Sequence, residues 1–470
     1  MTYLTHATLN SATSREKNFS REIWQATGGD AEFLQHLEFH GAGQLRSVFA
    51  VTDLAAASIG AAGLAIAEMI AQHKGNVPAV QVDRRLSSFW FSSSLRPMGW
   101  ELPPSWDAIA GDYQSADGWI RLHTNAHHHR AAALAVLDVA PGKEAVAKAV
   151  AGWQADQLEA AIVSHGGCAA AMRGQQEWAM HPQGQVVAAE PLLHVEWIAA
   201  ASKPAWATAS GSNAGPLAGI RVLDLTRVLA GPVATRFLAG YGADVLRIDA
   251  PTWDEPGLVP EVTLGKRMAR LDLRQAEGRA LFESLLRQAD VLVHGYRPDA
   301  LARLGLDAQT RRQINPGLID VCLDAYGWSG PWCGRRGFDS LLQMSCGIAD
   351  AGMRRWARER PTPLPVQALD HATGYIMAAA AIRGLVMRLQ TGVGSQMRAS
   401  LARTAALLSS HPAQSGQVEM LAENSDDLAD SVEATAWGNA RRLKPPVSVD
   451  GTPMQWGRPA GLLGSSVPAW

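Results

Sequence analysis

The sequence predicts an α/β fold: a large domain built on a parallel sheet with helices on its faces, joined to a smaller α+β domain. Two patterns and the overall composition carry this reading. Four short apolar runs in the second half, RVLDL (221–225), ADVLRID (243–249), ADVLVHGY (289–296) and GLIDVCLDAYG (317–327), have the length of buried strands. Between them VATRFLAGY (233–241) and QAEGRALFESLLRQ (275–288) carry helical spacing. Strands alternating with helices imply a parallel sheet, with ligands expected at the carboxyl ends of its strands. The 470 residues are 47% hydrophobic and 18% charged, which is enough apolar surface for more than one core.

Taken in order, the chain opens with MTYLTHATLNSATSREKNFS, a polar stretch without the apolar centre of a signal peptide, so residues 1–40 read as an N-terminal extension. Leu54 to Ala71 is the most apolar run. It is rich in Ala and Gly and interrupted by Glu68, which favours a buried helix over a membrane span. Residues 41–200 form the first folded region, and ASKPAWATASGSNAG (201–215) reads as a linker. Residues 216–410 form the large domain. Within it HATGYIMAAAAIRGLVMRL (371–389) is apolar nearly all round and reads as a central buried helix, after which GVGSQMRASLARTAALL turns at glycine into a short strand and a further helix. Residues 411–470 are expected to be a C-terminal tail that packs back on the small domain.

An internal echo crosses these boundaries. When VTDLAAASIGAAGLAIAEMIAQHKG is set beside ALDHATGYIMAAAAIRGLVMRLQTG, Asp53 falls on Asp370 and Gly75 on Gly392 without a gap, an offset of 317 positions. An Asp before a long apolar helix that is closed by Gly is a shared layout, and it suggests duplication.

Charge and cysteine content exclude several partners. A formal net charge of −2 leaves no electrostatic footprint for nucleic acid or an anionic membrane, while local basic clusters still suit a phosphorylated ligand. Cys168, Cys322, Cys333 and Cys346 have neither zinc-ligand spacing nor the density of a disulfide scaffold, so a reduced, cytoplasmic protein is expected. His123, His127, His128 and His129 invite a metal reading, but no nearby Cys or carboxylate completes a site. A helix start is the simpler account, and no metal is expected.

From Pro216 to about Leu408 the chain resembles the large domain of family III CoA-transferases, the group of formyl-CoA transferase, carnitine CoA-transferase and α-methylacyl-CoA racemase. The residues that carry the resemblance are LAGIRVLDLTRVLAGP, GADVLRID, GKR...LDLR (265–274), ADVLVHGYRPDALARLGL, INPGLI, GWSGPW...GFDSLLQ and LDHATGY. DYQSADGWIRLHTN (112–125) and HGGCAAAMRGQQEWAMHPQG (165–184) resemble the family's small domain, which here comes first. PPVSVDGTPMQWGRPAGLLG resembles its closing segment. The resemblance implies a Rossmann-like large domain in a rearranged or duplicated chain, either a truncated fusion of two copies or a circular permutation. It further implies coenzyme A as a substrate, an acyl-CoA and a small carboxylic acid as partners, and a homodimer.

By the same resemblance Asp370, in the D-x-x-x-G motif ending at Gly374, falls on the nucleophile that forms a mixed anhydride with the acyl group. Taken alone, an Asp at the head of a helix is an ordinary N-cap. Arg227, Ala230, Leu271, Arg274, Tyr296, Arg303 and Arg336 fall where members of the family contact CoA. Two positions depart from the pattern. Ala250 stands where some relatives place a basic residue. Phe338 precedes Asp339 where racemases carry a proton-moving His, which favours transfer over racemisation, although His371 beside Asp370 is a candidate acid or base. Asp53, followed by Leu54 and alanines, reads as a degenerate copy. The competing readings are an α-methylacyl-CoA racemase or isomerase, and a CoA-binding homologue without catalysis.

Overall fold

The computed structural model describes residues 14–198, 215–413 and 418–470. The 201–215 linker lies outside these apart from Gly215, as does the start of the N-terminal extension. Seven strands form the main sheet in the spatial order Arg267–Arg270, Asp244–Asp249, Arg221–Leu225, Val291–His294, Ile319–Asp324, Gly394–Ser400, Leu193–Ile198. The first six are parallel, and numbered along the chain they follow the order 3-2-1-4-5-6, the doubly wound arrangement. Each of the four strand runs read from the sequence is a strand here. Arg267–Arg270 was not among them, because an arginine at each end leaves only Met268 and Ala269 as an apolar run.

The seventh strand, Leu193–Ile198, comes from the first half of the chain and runs antiparallel to Gly394–Ser400, with Val195 opposite Met397. A smaller sheet repeats this edge. Leu37–His40 lies parallel to Val80–Asp83, and Val447–Val449 lies antiparallel to Val80–Asp83, with Val449 opposite Val80. The pairing is therefore crossed. The closing strand of the first region completes the large sheet, and the closing strand of the tail completes the small one.

The two long helices, Val51–Lys74 and Ala368–Thr391, repeat each other in backbone detail. Each is entered through a residue with nearly the same dihedrals, Ala50 (φ −76°, ψ 60°) and Gln367 (φ −76°, ψ 64°), and each opens with an N–H bonded two residues back at 2.8 Å, Val51 to Phe49 and Ala368 to Val366. Each ends on a left-handed glycine, Gly75 and Gly392, where only a residue without Cβ adopts φ near 76° at no cost. The match continues beyond the helices. Asp83 caps the helix Arg84–Trp90 by accepting the Leu86 N–H, as Ser400 caps Leu401–Ser409 by accepting the Arg403 N–H. The chain thus holds two interlocked copies of one motif, and only the second carries a full sheet.

Both long helices are apolar enough to cross a membrane by length and composition, and both are enclosed by protein. They pack on each other in the largest apolar cluster. The one charged pair between them is Glu68 with Arg383, both buried, with Arg383 also donating to the Gly28 carbonyl at 2.7 Å. The tail packs on the first region, where Gly438–Leu443 pairs with Leu95–Pro97. It also runs on over the large domain, where Trp456 Nε1 donates to the Arg236 carbonyl and Trp470 Nε1 to the Leu285 carbonyl. Buried Glu261 ties these parts together by accepting from Arg236, Arg442, Ser94 and Leu95.

Breaking one side of a buried ion pair leaves an uncompensated charge. Arg383→Met is expected to lower stability by about 3–5 kcal/mol, read as a fall in the urea midpoint, and adding Glu68→Leu is expected to recover most of it. A single variant that unfolds like the parent would show that the pair does not hold the helices together.

Candidate active site

The main sheet reverses its strand order between Arg221–Leu225 and Val291–His294, and the crevice beyond their carboxyl ends is where an open α/β sheet binds ligands. A cavity of about 340 Å³ lies there. Its walls are the 225–230 loop, Gly295 to Arg297, Leu323 to Ala325 and Arg335 to Phe338, with His128 and His129 contributed by the first region. Both halves of the chain build this one site.

Asp370 lines the cavity, in the third position of its helix. The helix begins two residues before Asp370, so Asp370 is not its N-cap. The carboxylate of Asp339 does that work, with Oδ2 accepting the N–H groups of Leu369 at 2.8 Å and Asp370 at 2.9 Å. Asp370 itself is buried, and among the described residues no cation pairs with it. Burial and the neighbouring Asp339 charge push its pKa well above the ordinary carboxylate range, and burial raises Asp339 to about 6. The helix head alone predicts an easily ionised Asp370. The surroundings reverse that expectation.

The glycine of the D-x-x-x-G spacing has a steric role. A Cβ on Gly374 would stand 2.4 Å from the Ala230 carbonyl oxygen and 2.9 Å from Val233 Cβ. Its absence lets the helix Ala230–Gly240 close against the second long helix, setting Ala230 and Asp370 on one cavity wall. Ala230 and Gly231 open their helix with N–H groups that have no partner inside it. The loop before them is strained: Val228, a β-branched residue, has φ 64°, held by its N–H to Glu255 Oε2 at 2.8 Å. Beneath it, buried Asp224 accepts from Thr226, Thr235 and Lys266, and Lys266 is pushed down to about 8 by burial.

Arg227 lies over the rings of Trp253 (4.3 Å) and Tyr296 (5.4 Å) and donates to the Tyr296 hydroxyl at 3.2 Å. Among the described residues no carboxylate pairs with Arg227 or Arg336, so both guanidinium groups stand uncompensated on the cavity wall. The neighbouring Arg335 is already used, paired with Glu159 at 2.7 Å.

Of the residues singled out in the sequence, Arg227, Ala230, Tyr296, Arg336 and Asp370 meet in this cavity. Leu271, Arg274 and Arg303 do not line it. Leu271 is half-buried against the second apolar cluster, while Arg274 and Arg303 are exposed and paired with Asp272 (2.8 Å) and Asp299 (2.5 Å). His371 is also outside it: the ring stacks on Phe91 in the core, where burial drives its pKa to about 3. Beside Ala250, Arg270 is spent on the backbone, donating to the carbonyls of Ala250, Pro251 and Trp253.

Several cavity residues were read from the sequence in another role or not at all. His128 and His129 lie at the start of the helix His127–Leu137, and His129, with neither ring nitrogen bonded, is held neutral by burial at about 3. Asp324, at the end of its strand, is raised to about 7 by burial. Its position at a strand carboxyl end was the available signal. Phe338 lies flat under His123 at 3.7 Å. The copy residue Asp53 has a different setting: Arg84 pairs with it at 2.5 Å and Gln44 Nε2 donates to both its oxygens.

Residues 217–436 match the family model for CoA-transferase family III. That segment is similar to members of this family. The chain is 33% identical to an acyl-CoA transferase of Fusarium pseudograminearum over 220 residues, covering 42% of this chain and 47% of that one. It is 32% identical to a succinate–glutarate CoA-transferase of Agrobacterium fabrum (40% of this chain, 51% of that one), and 30% identical to human succinyl-CoA:glutarate CoA-transferase (49% and 52%). It therefore spans about half the length of these relatives. A CaiB/BaiF family protein from Brucella suis is 29% identical over 48% of this chain and 65% of its own, with a TM-score of 0.38. The doubly wound fold of this region is shown by the order of its own strands.

A raised carboxylate pKa means the folded state holds a proton that the unfolded state releases, so stability falls as pH rises from the unfolded value towards the folded one. Asp370→Asn is expected to raise the melting temperature at pH 7 and to lose that advantage near pH 3, in thermal melts across the range. An equal melting temperature at both pH values would remove the buried-acid account of Asp370.

Proposed function

We propose that the protein is a CoA-transferase that moves CoA from an acyl-CoA to a small carboxylic acid. Supporting this is the pairing, in one cavity, of a buried unpartnered carboxylate, Asp370, with the uncompensated guanidinium groups of Arg227 and Arg336. The guanidinium forks suit the phosphates of CoA. The carboxylate suits attack on the thioester.

The ionised Oδ of Asp370 adds to the thioester carbonyl carbon. The C–S bond then breaks, giving CoA thiolate and an aspartyl mixed anhydride. The acceptor carboxylate attacks the aspartyl carbonyl carbon and expels the donor acid, leaving the acceptor acyl group on Asp370. CoA thiolate attacks that acyl carbonyl, the anhydride C–O bond breaks, and the new acyl-CoA leaves with Asp370 restored. Raising the pKa of Asp370 lowers the fraction ionised and makes the anion more nucleophilic, so the acylation rate rises with pH through the raised pKa. Removing the Asp339 charge shifts that limb to lower pH.

One observation favours a second reading. A carboxyl group with a raised pKa also suits removal of an α-proton, as in an α-methylacyl-CoA racemase. Phe338, which cannot exchange a proton, counts against it, and exchange of the α-proton in D₂O tests it directly.

Incubation with a panel of acyl-CoAs, quenching with hydroxylamine and peptide mass spectrometry are expected to place a hydroxamate at residue 370, lost in Asp370→Ala and kept in Asp53→Ala. No adduct on any peptide, in protein that still binds CoA, would sink the transfer mechanism and leave the binding-only reading. In the same preparations Asp339→Asn is expected to move the acid limb of acylation to lower pH. Arg227→Ala is expected to weaken CoA binding roughly tenfold to a hundredfold by calorimetry, and unchanged affinity would take Arg227 out of the phosphate site.

A further inference from the structure

A second cavity, of about 210 Å³, adjoins the first and shares Val228, Trp253 and Phe338 with it. It is closed on one side by residues 104–107 and 123–126 of the first region, and on the other by residues 253–258 of the large domain. Nothing in the transfer reaction derived above uses this chamber.

Its chemistry is one-sided. No Lys or Arg lines it, while Asp107, Asp254 and Glu255 do. Arg247 is taken by Asp249 and Glu255, Arg130 by Asp107, and Arg121 by Asp112, while the uncompensated Arg227 over Trp253 lines the first cavity and not this one. The rest of the lining includes the rings of Trp106, His123, Trp253 and Phe338 beside Pro104, Pro256 and Leu258. His123 stacks face to face on Phe338 at 3.7 Å with the ring planes 2° apart, and Trp106 meets the edge of His123 at 5.7 Å. His123 is only 5% exposed and its Nδ1 has no hydrogen-bond partner in the protein. Burial holds the ring neutral, with a pKa near 3. It therefore carries one donor and one acceptor and no charge.

We propose that this chamber receives the acyl tail of the thioester bound at Asp370 and selects flat or apolar uncharged tails over tails that end in a carboxylate. A thioester carbonyl beside Asp370 leaves its tail to pass the shared residues Val228 and Phe338. Beyond them a second carboxylate would meet Asp254, which no cation pairs among the described residues, and find Arg130 and Arg247 already engaged by Asp107 and Glu255, whereas an uncharged tail meets ring faces. An apolar cavity of about 150 Å³ is known to hold a benzene ring, so the chamber suits about one ring with a short linker. This preference runs opposite to the succinate and glutarate in the names of two of the relatives.

The inference rests on the transferase reading for its orientation, so binding and chemistry are measured separately. Dissociation constants of phenylacetyl-CoA, butyryl-CoA, succinyl-CoA and glutaryl-CoA are obtained by calorimetry on full-length Asp370→Ala protein, which does not turn over. The same set is then measured after adding Asp254→Arg. Asp254 is exposed, and circular dichroism with a thermal melt checks that each variant is folded. The two uncharged tails are expected to bind at least about tenfold more tightly than the two dicarboxylic ones, and the arginine is expected to shrink that ratio to about twofold or reverse it. Equal binding of the four, or a ratio that Asp254→Arg leaves unchanged, overturns the chamber as the tail site. Hydroxylamine trapping of wild type with the same four thioesters reports on transfer alone. Its failure with all of them would remove the transferase reading while the binding ratio still decides the pocket.

Discussion

The close approach of the helix Ala368–Thr391 to the helix Ala230–Gly240 is the contact on which the cavity depends. It is possible because Gly374 offers no Cβ to the Ala230 carbonyl; a Cβ there would stand 2.4 Å from that oxygen, inside van der Waals contact, so the two walls would have to part. The second long helix also packs on the first long helix and on the main sheet, so a shift at Gly374 would spread into the core rather than be absorbed locally. Asp370 is thus placed by packing, one turn from the contact that fixes the helix.

Electrostatics then separate the two halves of the duplicated motif. Asp53 and Asp370 hold the same helical position, yet Asp53 is closed off by Arg84 and Gln44, while Asp370 faces a cavity without a cation of its own. The difference follows from what each copy retains. Among the described residues the first copy shows Leu37–His40 and Val80–Asp83, completed by a strand of the tail, and no counterpart of the 225–230 loop beside Asp53. The second has the full doubly wound sheet and is roofed by the first region. One chain therefore carries two helix heads and one open site.

Much of this was legible in the sequence because it is local. Short apolar runs gave the four strands, stretches apolar nearly all round gave the long helices, and the offset of 317 positions suggested the repeat. Short motifs placed Asp370, Arg227, Ala230, Tyr296 and Arg336, which the fold brings to one cavity. Arg274 and Arg303 sit in equally good motifs, but their neighbours Asp272 and Asp299 already occupy them at the surface. Those counter-charges lie two and four residues away in the sequence; what motif spacing does not show is which arginines the fold turns to solvent and which to the cavity. His371 failed for a related reason. Adjacent helix positions point about 100° apart, so a residue beside Asp370 faces the core and Phe91 rather than the cavity.

The sequence by itself determined the element types, the duplication and the identity of the acid that heads the second long helix, because those follow from residue order and side-chain chemistry. Tertiary structure alone decided the protonation of that acid, the crossed pairing of the closing strands, and the meeting of His123 and His129 with Phe338. Each of these depends on which distant segment supplies a low-dielectric wall, a strand edge or a ring face, and such choices are made by packing between residues hundreds of positions apart.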